Sequence, residues 1–378
     1  MMGVKMSVSI KEVKTTHEMR EFTYFPEKIH KNHFNWVPPI YADERACFCP
    51  EKNKALTYCD CKLALAKSNG KAIGRIAGII NHRYNRHWQS KTARFGYFEC
   101  PEDPEVAKLL LKFVEKWASD RMMHKIIGPM GFTDHDPEGF LIDGFEHPPN
   151  LVTNYNFKYV PYLLEKSGYR KEIDYVVYKV DFARGIPDFF RKVYNRVRRK
   201  GDYTLVEFTK QKQLAPYIRP MFTLMNECFE NLYGYSALEL IEMDNLANRY
   251  LPIVDPRFVK IVTTKGNEVI GFIIGIPNMA EGIRKARGRL FPFGFLKILR
   301  ARKKSKKLDL YIGGIKEKYR GKGLDALMGY SVIKSAIQAG FEYMDSHHEL
   351  ETNLRMRAEM EKIGGTIYKR FRIYQKDL

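Results

Sequence analysis

At 378 residues, with 44% hydrophobic and 13% aromatic side chains, the chain is too long for one ordinary core and too apolar for wholesale disorder, so two globular domains are expected. Sixty-four Lys and Arg against 44 Asp and Glu give a net charge of +20, which selects a polyanionic partner: nucleic acid, an anionic membrane surface, an acidic carrier protein or a phosphorylated cofactor. The start, MMGVKMSVSIKEV, has no apolar signal core and no stretch reaches the length of a membrane span. A cytoplasmic location follows as the expectation, with peripheral attachment to the inner face of the membrane left open.

In chain order, Cys47, Cys49, Cys59 and Cys61 come first, as two C-x-C pairs. They read either as a zinc site or as inert thiols. C-x-C is not the usual ligand spacing and Cys61 opens a strand-like run, so no metal is expected. Residues 63–66, the turn Ser68-Asn69-Gly70 and the run from Lys71 read as a β-hairpin. A strand over 95–99 follows. Asp103-Pro104 then supplies an N-cap and a first-turn proline for a helix with Val106, Leu109, Leu110, Phe113 and Trp117 on its apolar face. The segment Asp134-His135-Asp136-Pro137-Glu138-Gly139 lacks calcium-loop spacing and reads as a polar turn. With Asn154-Tyr155-Asn156 it is a candidate lining for an acceptor pocket. A strand over 175–180 and a basic run over 191–200 follow.

The chain then repeats itself. Ile73, Gly74, Ile76, Gly78, Ile79 and Asn81 match Ile270, Gly271, Ile273, Gly275, Ile276 and Asn278 at one offset, each set following a short strand and a turn. Glu165-Lys166-x-Gly168 matches Glu361-Lys362-x-Gly364 at nearly the same offset. Two such matches predict a duplicated unit of about half the chain, the alternative being two hairpins that share strand vocabulary. Mixed strands with interspersed helices give an α/β (α+β mixed-sheet) class, with domains over 1–180 and 181–378.

The second half alone carries a glycine turn, Tyr319-Arg320-Gly321-Lys322-Gly323-Leu324, between a strand over 308–315 and a helix that starts near Leu324 and ends at Gly340. Two glycines allow close backbone approach, and the amides at the helix start favour phosphate oxygens, with Arg320 and Lys322 adding positive charge. A tight strand-to-helix turn with surface cations reads the same. The strand, the R-G-K-G turn, the helix, the next strand over 343–346 and Asn353 together resemble the GCN5-related N-acetyltransferase (GNAT) superfamily over most of residues 200–378. The resemblance implies that Ile315, Arg320, Gly321, Lys322, Gly323, Leu324 and Asn353 hold acetyl-CoA or a longer acyl-CoA, in a gap where two strands splay. By the same resemblance, 61–180 is a degenerate GNAT-like unit without the phosphate turn. The whole chain is similar to a tandem-GNAT bacterial subfamily, marked by Asn35-Trp36-Val37-Pro38-Pro39 and Tyr368-Lys369-Arg370-Phe371-Arg372-Ile373-Tyr374.

Two positions depart from the family pattern. Asp325 stands where Gly or Ala is usual, and Met360 stands where many members carry a tyrosine general acid. Amine acylation needs a base for the ammonium, a donor to the thioester carbonyl and an acid for the thiolate. The local titratable groups are His347, His348, Glu349 and Glu351. Strand alternation puts His347 and Glu349 on one side and His348 on the other. Glu351 or His348 is the expected base, the alternative being solvated charges at a strand end.

Residues 284–307 carry eleven Lys or Arg and no Asp or Glu, interleaved with Leu290, Phe291, Phe293, Phe295, Leu296, Ile298 and Leu299. This basic and aromatic insertion, over 279–307 of the second domain, reads as an interfacial segment or as a packed arm with a basic rim. The expected function is N-acyl transfer from acyl-CoA, or from acyl carrier protein, to a small-molecule or lipid amine, with contact to an anionic membrane. The alternatives are a catalytically inactive GNAT-fold binding protein and a nucleic-acid-binding protein. No nucleic-acid motif supports the last.

Overall fold

The computed structural model describes residues 7–150 and 152–378, so Met1 to Met6 of the chain start lie outside the described residues. Fourteen strands are described: β1 (Val8–Glu12), β2 (Cys59–Ser68), β3 (Lys71–Asn81), β4 (Thr92–Glu99), β5 (Lys125–Gly128), β6 (Phe140–Asp143), β7 (Arg170–Asp181), β8 (Tyr203–Glu207), β9 (Val259–Thr264), β10 (Val269–Pro277), β11 (Lys307–Ile315), β12 (Tyr343–Ser346), β13 (Glu349–Leu350) and β14 (Thr366–Asp377). They fall into two compact units. One holds the described residues up to Tyr175 together with Ala280–Ile298 and Lys369–Leu378, the other Val176–Met279 and Leu299–Tyr368. The division is therefore not a single cut near residue 180. The chain changes unit inside β7 and again inside β14, and the basic segment 280–298 groups with the first unit.

In the first unit the strands run β1, β2, β3, β4, β5, β14, with β6 also on β14. Asn69 and Gly70, at φ 50° and 75°, form the left-handed two-residue turn that matches the twist of the β2–β3 hairpin. The helix Pro104–Ser119 starts where expected, with the Asp103 carboxylate accepting from the amides of Glu105 and Val106. Its buried face is Val106, Ala107, Leu110, Leu111, Val114, Trp117 and Ala118, while Leu109 is exposed, a rotation of about one position from the expected stripe. The glycines of the repeated motif let this helix lie close. A Cβ on Gly74 would stand 2.9 Å from Leu110 Cδ1, and one on Gly78 2.7 Å from Val114 Cγ1.

In the second unit the order is the latter part of β7, then β12, β11, β10, β9, β8. β9 and β10 form the second hairpin, so Ile73 and Ile270 both lie on the second strand of a hairpin that pairs onward with an antiparallel neighbour. Gly271 faces Met328 of the helix Leu324–Gln338, whose Cε would stand 3.2 Å from an added Cβ. In both units a helix covers the hairpin and a parallel strand pair follows: β4 with β5, and β11 with β12. Each unit has its own core. Val114, Phe95 and Leu163 lie in the first, Phe258, Leu327 and Val332 in the second.

A splayed strand pair headed by a bare helix start

The candidate donor-binding and catalytic residues named from the sequence lie in the second unit, whereas the candidate acceptor lining, 134–139 and 154–156, lies in the first. β11 pairs antiparallel with β10 up to Ile315, but its parallel pairing with β12 covers only four positions, Lys307 with Tyr343 to Leu310 with Ser346. The amide of His347 still donates to the carbonyl of Leu310 at 3.1 Å. Beyond it, among the described residues, 312–315 keep β10 alone as a strand partner, and a gap opens. On its other edge β12 also leaves its ladder at Ser346, whose Oγ accepts from the Tyr178 amide of β7 at 2.9 Å and donates to the carbonyl of His347 at 2.9 Å, so a side-chain bond replaces the β7 backbone pair there.

The gap is walled by Tyr311 on one side and His347 on the other, with ring centroids 5.6 Å apart at 77°. The His347 and His348 rings lie only 5.1 Å apart. The expected alternation therefore fails at this pair, because both residues fall in the two-residue break between β12 and β13 and not in a continuous strand.

At its floor is a buried polar cluster. Lys307 is paired with Asp309 at 3.4 Å and with Asp345, Asn278 donates to Asp309 at 2.8 Å, and the Tyr368 hydroxyl donates to Asp345. The two carboxylates hold the Lys307 ammonium well above its ordinary range despite burial.

At the end of β11 stands the glycine turn. Gly321 and Gly323 have φ of 74° and 83°, the left-handed region that favours glycine. A Cβ on Gly323 would lie 2.9 Å from Val193 and 3.0 Å from Val197 of the helix Asp188–Lys200, whereas Gly321 faces open space. Among the described residues no side chain caps the start of the helix Leu324–Gln338, which leaves its first-turn amides facing the turn. Lys322 lies over the Tyr319 ring at 5.0 Å, and Arg320 folds back to donate to the Ile315 carbonyl at 3.1 Å. Three residues on from Val193 and Val197, Arg196 and Lys200 are exposed on the same flank. The contrast with the first unit is local and chemical: there the amides of the matching helix start are already taken by Asp103.

Asn353 caps the helix Leu354–Lys362, accepting from the Met356 amide at 3.4 Å. The carbonyl of Glu351 accepts from Arg357, whose Nε also donates to Tyr178. Met360 is core, 5% exposed. The residue that sequence reasoning named but did not prefer is Glu349, whose carboxyl is pushed up to about 8 by burial. Nothing in a run of four polar residues signals which one is desolvated. In the first unit Glu138 is likewise pushed up to about 8, by burial first, against a hydrogen bond from Tyr175. Among the described residues no three His, Cys, Asp or Glu side chains come together as metal ligands would.

One solved structure is similar over nearly the whole chain. A tandem GNAT protein from the clavulanic acid biosynthesis pathway superposes with a TM-score of 0.57 over 98% of both chains, at 10% identity. The fold is a tandem GNAT fold. A probable N-acyltransferase of Enterococcus faecalis V583 gives a TM-score of 0.51 over 98% of this chain and 73% of its own, at 11% identity. In sequence the chain is 27% identical over 383 aligned positions to a bacterial ceramide synthase of Caulobacter vibrioides, covering 98% of each. It is 24% identical to the protein YghO of Escherichia coli K12, covering 96% of this chain and 93% of the relative. No family model matches. The splayed pair and the glycine turn lie in the second unit of this fold.

Proposed function

We propose that the protein is an N-acyltransferase that moves an acyl group from acyl-CoA to the amine of an amphiphilic acceptor. The observation that carries the reading is the open β11–β12 gap headed by Gly321, Gly323 and the uncapped helix start. The bare amides and the positive helix end suit the pyrophosphate, with Lys322, Arg196 and Lys200 as mobile cations. The backbone edge of 312–315, beyond the last β12 pairing, suits the amides of a pantetheine arm. Acyl carrier protein would offer the same arm on an acidic body, and acetyl-CoA and longer acyl-CoA share it.

In the reaction the acceptor ammonium first loses a proton, and the amine nitrogen then attacks the thioester carbonyl. The nitrogen gives up a second proton to a base as the C–S bond breaks, and the thiolate takes up a proton to leave as CoA thiol, so the products are the neutral amide and the thiol. Glu349 holds a proton at neutral pH and is matched to supply it, a role for which Met360 offers no chemistry. His348 and Glu351 remain the bases, acting directly or through water. The likeness to a ceramide synthase supports an acceptor that is a long-chain amine, since a ceramide is an amide of such an amine, and an amphiphilic acceptor places the enzyme's working surface at a membrane.

Acyl-CoA should raise the thermal midpoint of the wild-type protein, by an amount that grows with ligand concentration. No shift with CoA, acetyl-CoA or palmitoyl-CoA at saturating concentration would remove the donor assignment.

A further inference from the structure

The first unit presents apolar side chains to water in a way that its own scaffold enforces. Phe34 is 82% exposed and Phe291 80%, the two most exposed large apolar side chains among the described residues, and Phe293 is 68% exposed. Phe291 and Phe293 do not sit on a slack loop. The Gly288 carbonyl accepts from the Tyr41 amide at 3.1 Å, and a Cβ on Gly288 would strike the Pro39 carbonyl at 2.2 Å. Arg289 grips both oxygens of Glu27, at 3.0 and 2.8 Å, with Tyr24 and Tyr41 under its guanidinium. Arg284 donates to the Phe34 carbonyl at 3.0 Å and lies over the Phe34 ring. Phe34 and the 288–293 loop are thus carried on one braced scaffold. Side chains so exposed and so firmly held mark an interaction surface, not a folding remainder.

We propose that this face, Phe34 with Phe291 and Phe293, docks the protein on an anionic lipid bilayer. Charge chooses the occupant. Within the same unit residues 284–298 carry Arg284, Lys285, Arg287, Arg289 and Lys297, all exposed, and no acid, which suits phosphate-bearing headgroups, while rings on short anchored stalks suit the boundary between headgroups and acyl chains. A second copy of the chain would bring the same cations against themselves. The assignment deepens the reading of an amphiphilic acceptor and rests on it for its purpose, but not for its physics.

The test is co-sedimentation with phosphatidylcholine vesicles, with and without phosphatidylglycerol, for the full chain and for the triple variant Phe34→Ser, Phe291→Ser, Phe293→Ser. Binding to anionic vesicles should be at least about tenfold tighter than to neutral ones, as a few engaged cations suffice for that ratio. The variant should lose about tenfold or more on anionic vesicles, and part of the wild-type binding should survive high salt. The variant must also retain the wild-type thermal midpoint and CoA-dependent thermal shift, which separates failure of docking from failure of the fold or of the donor site. Equal binding to the two vesicle types, or an unchanged variant, overturns the proposal. So does a concentration-dependent dimer that the triple variant abolishes, because the face would then join two copies.

Discussion

The ring of Tyr311 meets the ring of His347 edge to face across the mouth of the β11–β12 gap, 5.6 Å between centroids. The two residues follow the last paired positions of their strands, Leu310 and Ser346. An aromatic pair at this point keeps the splayed strands at a fixed separation where the backbone ladder has ended.

Replacing the turn glycines should separate strain from ligand approach. Gly323→Val forces a branched side chain into a left-handed residue and against Val193 and Val197, and should destabilise the protein by about 1–3 kcal/mol. Gly321→Val has room for its side chain and should cost less in urea unfolding, yet it should weaken CoA binding in calorimetry by covering the approach to the helix start. Equal stability losses with unchanged CoA affinity would contradict the arrangement.

Glu349 gives a pH signature. Its folded pKa of about 8 lies above the ordinary carboxylate value, so the folded state keeps a proton that the unfolded state releases. Its contribution to stability is fully present below the unfolded pKa and is lost as pH rises through about 8. Glu349→Gln removes that loss, so the variant should gain stability relative to wild type between pH 5 and pH 8.5. Glu138 has the same sign but is common to both proteins. The measurement is urea unfolding of the pair at the two pH values, and a difference that does not change with pH counts against a protonated Glu349. In turnover the same variant should lose about 10²-fold in kcat if the carboxyl supplies the thiolate proton.

The cluster beneath the gap should be unforgiving. Lys307→Met strands Asp309 and Asp345, which are 1% and 0% exposed, and should cost about 3–5 kcal/mol by denaturant titration. Adding Asp345→Asn should recover part of it. A single variant within about 0.5 kcal/mol of wild type would mean the cluster is not holding charge as described.

Much of this was legible in the sequence because it follows local rules. The hairpins show in alternation and in turn residues such as Asn69-Gly70, the helix start in Asp103-Pro104, and the duplication in glycines that must stay small for a helix to pack on Gly74 and Gly78 or on Gly271. What was not legible depends on partners distant in sequence. The buried helix face turned toward Leu111 and Val114 because of what packs over it, which the apolar run 109–111 alone cannot decide. His347 and His348 lie together because they fall in the break between β12 and β13, and the surroundings that push the Glu349 carboxyl up come from residues distant in sequence. The change of unit within β7 and β14 leaves no mark, since both halves of each strand read alike. Nor does composition reveal that 280–298 groups with the first unit, through Arg289 on Glu27 and Tyr41 on Gly288.

The central claim, acyl transfer from a thioester to an amine in the second unit, is tested most directly by incubating the purified chain with palmitoyl-CoA and a long-chain amino alcohol in mixed micelles, then quantifying free CoA thiol and amide by mass spectrometry. Thiol and amide should appear in a one-to-one ratio, fall about 10²-fold with Glu349→Gln, and fall further with the Gly321→Val, Gly323→Val double variant. Thermal protection by palmitoyl-CoA with no amide above the enzyme-free control, across short and long acyl donors and amines, would contradict it and leave a donor-binding protein without transferase activity.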